Sequence, residues 1–331
     1  MPNVIIPTDG TLDQSDPCVS RLQEAGFSVH LLTDPRIALG QADEQTTIDA
    51  LDGADAVMAW AEHYTARTLA GLPKLRVIAR VGVGFDKVDL TAATARNVAV
   101  TITPTANHEA VAEHAMALML AWAKSLLPSN RAMRAGKWPK PPLAALRQTT
   151  LGIVGLGRIG RSLALRALAM RMKVIATELQ PDAAFVQQHG IELQSLDDLL
   201  AKSDFVSLNC PLNDQTRGLI AAPQLARMKK GAVLVNTARG KLIVQRDLVA
   251  ALQSGHLGGA ALDVFEEQPT DAGNPLFTLD NVVASPHVAG DDALASIDMG
   301  KEAAGCIIDL HAGRWPQGAV VNNELEGKWK W

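Results

Sequence analysis

The chain lacks several features that would set it apart from ordinary globular proteins, and each absence removes a class of function. It has only three cysteines, Cys18, Cys210 and Cys306, an odd number at no metal-ligand spacing. That excludes a disulfide scaffold and a zinc module and reads as reduced cytosolic thiols, with no metal site expected. The most apolar stretch, residues 110–127, is broken by Glu113, His114 and Lys124, so a buried helix is expected there and no membrane span. The first residues, Met1-Pro2-Asn3-Val4-Ile5-Ile6-Pro7, carry neither the basic nor the long apolar region of a secretory signal, and a cytoplasmic protein is expected. Charge of one sign is not in excess: 31 Lys and Arg stand against 35 Asp and Glu, a net charge of −4. The basic residues are interspersed with acids rather than forming a stripe, so there is no nucleic-acid footprint. Internal repeats and low-complexity segments are also missing. The proline-rich patch Trp138-Pro139-Lys140-Pro141-Pro142 reads as a rigid surface loop.

What remains is a chain of 331 residues, 47% apolar and 20% charged, enough for two domains with real cores. Its middle alternates short apolar runs with amphipathic stretches, as parallel sheets covered by helices do. Strands are predicted at 150–154, 173–176, 204–208, 232–236, 259–262 and 282–284, with helices at 158–170, 196–201 and 245–254. The first hundred residues repeat the alternation more weakly, with strands at 3–7, 28–32, 56–59, 77–80 and 99–101. The fold class expected is therefore α/β: two doubly wound parallel-sheet domains, Rossmann-like and flavodoxin-like, with the active site in the cleft between them. Helical stretches at 107–127 and 291–310 are read as the places where the chain crosses between domains. The smaller, substrate-binding domain is then discontinuous, 1–102 plus 289–331, and the nucleotide-binding domain is 103–288. The chain ends soon after the small domain closes, so no separate effector module is expected.

Gly155-Leu156-Gly157-Arg158-Ile159-Gly160 follows an apolar run and opens an amphipathic helix, the context that separates a dinucleotide fingerprint from a plain glycine turn. Glycines at 155, 157 and 160 permit a tight turn and close approach to a pyrophosphate. The helix start, Arg158 and Ile159, offers free N–H groups to its charge. The next strand ends at Ala176-Thr177-Glu178. Glu178 is placed to accept hydrogen bonds from the adenosine ribose and to repel a 2′-phosphate, and with no arginine in 177–182 the cofactor expected is NAD rather than NADP.

Three further motifs follow in order: Asn236-Thr237-Ala238-Arg239-Gly240, Asp263-Val264-Phe265-Glu266-Glu267-Gln268-Pro269, and Ser285-Pro286-His287. Together with the fingerprint they resemble the D-isomer-specific 2-hydroxyacid dehydrogenase superfamily, whose relatives include phosphoglycerate, glyoxylate and formate dehydrogenases. The resemblance runs along nearly the whole chain and is strongest from Val77 to Gly290. It implies that Arg239 binds the substrate carboxylate and polarises the adjacent carbonyl, a task suited to the planar guanidinium fork, although an arginine after a strand can also be a structural ion pair. It implies that His287 is the acid and base for the carbonyl oxygen. By the same resemblance Asp263 holds the nicotinamide carboxamide, and Thr237, Pro211, Thr216 and Gly290 line the cofactor. Val83-Gly84 matches a loop whose N–H groups hold the substrate carboxylate, and Asn107 a polar substrate contact.

The chain departs from its family at Gln268. The position before the proline usually carries a glutamate that pairs with the catalytic histidine and raises its pKa. Glutamine can orient the ring but supplies no charge, unless Glu266 or Glu267 reaches His287 instead. The formate dehydrogenase branch shares the glutamine, yet Met58-Ala59-Trp60-Ala61-Glu62 does not resemble that branch's formate-binding segment. The function expected is an NAD-dependent oxidoreductase moving hydride between nicotinamide and a small D-2-hydroxy acid or 2-keto acid. The alternatives are a formate dehydrogenase-like oxidoreductase and an NAD(H)-sensing binding protein on the same fold. A homodimer through the nucleotide-binding domains is expected, with the helix around 107–127 as its interface.

Overall fold

The computed structural model describes Met1–Trp331 and divides into two compact units, Met1–Asn107 with Ala293–Trp331, and His108–Asp292. Both boundaries lie a few residues beyond the expected ones, because flanking backbone stays tied to the unit it leaves. Ile102 N–H donates to the Ala319 carbonyl and Thr103 N–H to that of Gly82, while Ala289 N–H donates to the Asp263 side chain.

In the first unit five parallel strands, β1 (Asn3–Thr8), β2 (Ser28–Thr33), β3 (Ala56–Ala59), β4 (Val77–Arg80) and β5 (Ala99–Thr101), are ordered β2-β1-β3-β4-β5. Strands β3 and β4 are buried at every residue, which is why β3 and the first three residues of β4 read as apolar runs in the sequence, with only Arg80 polar. The helix Ala293–His311 lays Met299, Ala303, Ala304, Ile307 and Leu310 into one of the unit's two cores.

The second unit has seven parallel strands: β6 (Thr150–Val154), β7 (Lys173–Thr177), β8 (Glu192–Leu193), β9 (Phe205–Leu208), β10 (Val233–Asn236), β11 (Gly259–Leu262) and β12 (Val282–Ala284). Their order, β12-β11-β10-β9-β6-β7-β8, reverses direction between β6 and β9, the switch point at which open α/β sheets hold ligands beyond the carboxyl ends of their strands. Helix His108–Ala123 is mostly buried against this sheet, while its outward Glu109 and Glu113 both pair with Arg166. The single helix expected over 107–127 is in fact two. The chain bends by 60° at Lys124-Ser125, with Ser125 at φ 45°, before the helix Leu126–Arg134. Pro128 sits in the first turn of that second helix, where its missing N–H costs nothing. No single helix is long and apolar enough to cross a membrane.

Candidate active site

Six strands of the second unit end in loops that carry the residues singled out by sequence. After β6, Gly155 adopts φ +96°, and a Cβ there would lie 2.8 Å from the Asn209 backbone. A Cβ on Gly160 would run into the Gly155 carbonyl, whereas nothing lies within 4 Å of one on Gly157. Two glycines therefore close the turn and the third leaves open space at the start of the helix Arg158–Ala169, a cradle that a phosphate fits. At the end of β7, Glu178 reaches back to this turn, its Oε2 accepting from Leu156 N–H at 2.7 Å and its Oε1 from Gln180 N–H at 3.1 Å. Each oxygen keeps a lone pair for a ribose hydroxyl. After β9, Thr216 Oγ1 donates to the Pro211 carbonyl at 2.7 Å and accepts from Asn213 N–H at 2.8 Å. Its hydroxyl thus shapes the loop that presents Pro211. Thr237 Oγ1, after β10, is buried without a hydrogen-bond partner, an orphan that a cofactor polar group would satisfy.

The loop after β10 is built around Asn236, a fully buried side chain that sequence reading passed over. Its Oδ1 accepts from Ala238 N–H at 3.0 Å and its Nδ2 donates to the Arg239 carbonyl at 2.8 Å, so one amide fixes the turn that presents Arg239. Arg239 is half-buried, with Nη1 donating to the Ala238 carbonyl at 2.7 Å. A Cβ on Gly240 would collide with the backbone of Phe265 and Glu266. Only glycine lets the Arg239 loop lie flat against the loop that carries Gln268.

His287, after β12, has φ 58°, a left-handed conformation uncommon for a side-chain-bearing residue. It is exposed, and its Nδ1 lies 2.8 Å from Gln268 Oε1. Since an amide oxygen only accepts, Nδ1 carries the hydrogen, which makes Nε2 the nitrogen that can take up or give a proton. Gln268 is thus a hydrogen-bond partner of the His287 ring.

Asp263 is wholly buried, and its carboxylate faces the protein. Oδ1 accepts from Ser285 Oγ at 2.6 Å and Val288 N–H at 3.0 Å, and Oδ2 from Ala289 N–H at 2.9 Å, while the Asp263 carbonyl accepts from His287 N–H at 2.8 Å. Asp263 thereby holds the His287 loop, and Oδ2, with a single donor, keeps a lone pair for the nicotinamide carboxamide that the family resemblance assigns to it. Ser285 Oγ also lies 2.8 Å from Nε2 of His114, the residue read only as an interruption of an apolar helix. Asp291, nearby, has its pKa raised by burial and by the Asp263 charge. Gly290 lies half-buried in the same loop. The remaining sites belong to the first unit, where Val83 and Gly84 follow β4 half-exposed and Asn107 is buried with Oδ1 unpartnered.

The sequence profile of the D-isomer specific 2-hydroxyacid dehydrogenase NAD-binding domain matches residues 116–289. A D-3-phosphoglycerate dehydrogenase of Mycobacterium leprae is 40% identical over 293 residues, covering 86% of this chain and 55% of that protein; the chain thus spans about half the length of this relative. A glyoxylate reductase of Korarchaeum cryptofilum is 39% identical over 266 residues, covering 78% of the chain and 80% of that protein. The D-lactate dehydrogenase of Aquifex aeolicus, solved with NAD and lactic acid, superposes with a TM-score of 0.83 at 27% identity, over 97% of this chain and 99% of that one. The glycine cradle, the Glu178 carboxylate at its rim and the matched profile coincide on one sheet edge, and the chain belongs to the D-isomer-specific 2-hydroxyacid dehydrogenase family, with an NAD-binding domain built on β6–β12.

Proposed function

We propose that the protein is an NAD-dependent oxidoreductase that interconverts a small 2-keto acid and its D-2-hydroxy acid. The observation that carries this reading is the His287–Gln268 hydrogen bond, which leaves Nε2 as an acid or base on the sheet edge that also presents Arg239. Bound NADH supplies the hydride. The Arg239 guanidinium takes the substrate carboxylate and draws electron density from the neighbouring carbonyl oxygen. The protonated His287 gives its Nε2 hydrogen to that oxygen, or the neutral ring removes it in the reverse direction. Asn236 and Asp263 hold the two loops in register. Glu178 favours NAD over its phosphorylated analogue, and in the first unit the Val83-Gly84 loop offers backbone N–H groups to a carboxylate.

The test is nicotinamide absorbance with glyoxylate, hydroxypyruvate, phenylpyruvate and formate in turn. Turnover of a 2-keto acid supports the reading. Turnover of formate alone would favour the second reading, to which the uncharged Gln268 gives some ground because formate oxidation needs no proton acceptor. Tight NADH binding with no turnover would make the protein a sensor.

A homodimer through the helical region around 107–127 is part of the proposal. Exposed apolar side chains gather at the end of that region and in the segment after it, where Leu126, Leu127, Met133, Trp138 and Leu143 are exposed, Trp138 by 77%. A second copy of the chain would cover such a patch. Sedimentation of wild type against Trp138→Asp tests it.

A further inference from the structure

The first unit contains a buried carboxylate that the chemistry above does not use. Glu62, in the loop after β3, is 1% exposed. Its Oε2 accepts from Trp60 N–H at 2.6 Å and lies 4.0 Å from Arg80 Nη1, while Oε1 has no hydrogen-bond partner. Arg80 ends β4, and its Nε donates to the Gly84 carbonyl at 3.0 Å. Because a trans peptide points its C=O and N–H to opposite sides, drawing the Gly84 carbonyl to the guanidinium turns the Phe85 N–H away from it. The two loops are laced together elsewhere as well. Lys87 Nζ donates to the Ala61 carbonyl at 2.8 Å, Val81 N–H to that of Ala59 at 2.8 Å and Tyr64 N–H to that of Lys87 at 2.9 Å.

We propose that Glu62 is a specificity-determining residue that acts through Arg80: it holds the guanidinium beneath Gly84 and offsets its charge, so that the loop's hold on an anionic substrate depends on whether Glu62 carries a proton. The inference rests on the reading of Val83-Gly84 as the carboxylate-binding loop. The groups facing Glu62 are Arg80 on β4, Lys87 on the following loop, and the buried Tyr64 hydroxyl, which has no hydrogen-bond partner. One hydrogen bond and an ion pair at 4.0 Å compensate a buried carboxylate poorly, and burial, opposed by Arg80, pushes its pKa up to about 7. Below that pH Glu62 is neutral and the positive charge of Arg80 acts undiminished at the loop. Above it the pair is neutral and a carboxylate is attracted less.

The experiment measures KM for a 2-keto acid and the dissociation constant of oxamate in the presence of NADH, from pH 6 to pH 8, in wild type and E62Q. Arg239 and His287 are the same in both proteins, so their effects cancel in the ratio. The KM ratio of wild type to E62Q should be near one at pH 6 and rise to roughly three- to ten-fold at pH 8, with the change appearing in KM rather than kcat and oxamate binding following it. A purely structural Glu62 would lower the melting temperature of E62Q and leave this ratio flat, which would overturn the inference. Glu62→Asp, a second variant in case E62Q does not fold, keeps a titrating carboxylate and should keep a KM that rises with pH; a flat KM there also overturns it. Absence of turnover with every 2-keto acid in wild type would instead overturn the functional reading itself, and this inference with it.

Discussion

Gln268→Glu would put a carboxylate where the amide oxygen now lies, 2.8 Å from His287 Nδ1. The geometry needs no rearrangement, since glutamate is isosteric with glutamine and Nδ1 already carries the donated hydrogen. What changes is charge. The imidazolium gains an anion in direct contact, and because both residues are exposed solvent screens the pair, so the gain is about one pH unit in the pKa of His287 rather than the several units of a buried pair. Keto-acid reduction requires the protonated ring, so kcat/KM for reduction falls as pH rises through that pKa, and the variant should carry this falling limb about one pH unit higher. Oxidation requires the neutral ring, so its rising limb should move by the same amount in the same direction. The assay is kcat/KM for 2-keto acid reduction by NADH across acid to alkaline pH in both proteins. An unmoved limb in a folded, active variant would refute the claim that Gln268 sets the proton affinity of His287.

Glu178→Ala should lower the preference for NAD over NADP, read as the ratio of kcat/KM for the two cofactors, because it removes the like charge facing a 2′-phosphate; a wild type that prefers NADP would refute the assignment. Arg239→Ala should lose on the order of 10²- to 10³-fold in kcat/KM with the dissociation constant of NADH little changed, and Arg239→Lys should recover only part, because a point charge lacks the fork. Near-normal turnover in the alanine variant would place the substrate anchor elsewhere. Glu62 should also mark the pH dependence of stability. Its pKa rises from 4.5 to about 7 on folding, so the folded state favours the protonated form, and the stability this contributes is present below pH 4.5 and lost as pH climbs through 7. The loss is of order 3 kcal/mol. Urea denaturation at pH 5 and pH 8 should show this decline in wild type and not in E62Q, and equal declines in the two would contradict it.

The second unit was legible because its central strands are buried on both faces and so appear as apolar runs, each followed by the loop residues that a parallel sheet presents at its carboxyl edge. The two-residue edge strand Glu192–Leu193 is exposed at both positions and leaves no such run. The bend at Ser125 escaped the periodicity because the apolar spacing continues across it; Pro128 was the available signal, since proline fits the first turn of a helix better than its interior. The pairing of His287 with Gln268 followed from register. The inward turn of Asp263 did not, because apart from Ser285 Oγ its partners are backbone N–H groups of a loop more than twenty residues away, and such donors have no sequence identity. The half-buried His114 and the buried Asn236 were missed for a related reason: a polar residue in an apolar stretch looks the same whether it is idle or holds a loop.

The contact of Gly240 with the backbone of Phe265 and Glu266 bears on how this protein could change over evolutionary time. Residues 239 and 268 lie on segments that touch through main chain, so no side chain between them can absorb a change in either. Substitutions on the two segments should therefore be strongly epistatic. A replacement tolerated at 268 in one background should fail in another that differs only at 239 to 241, and drift towards a new substrate would be easier through loops that do not share this seam.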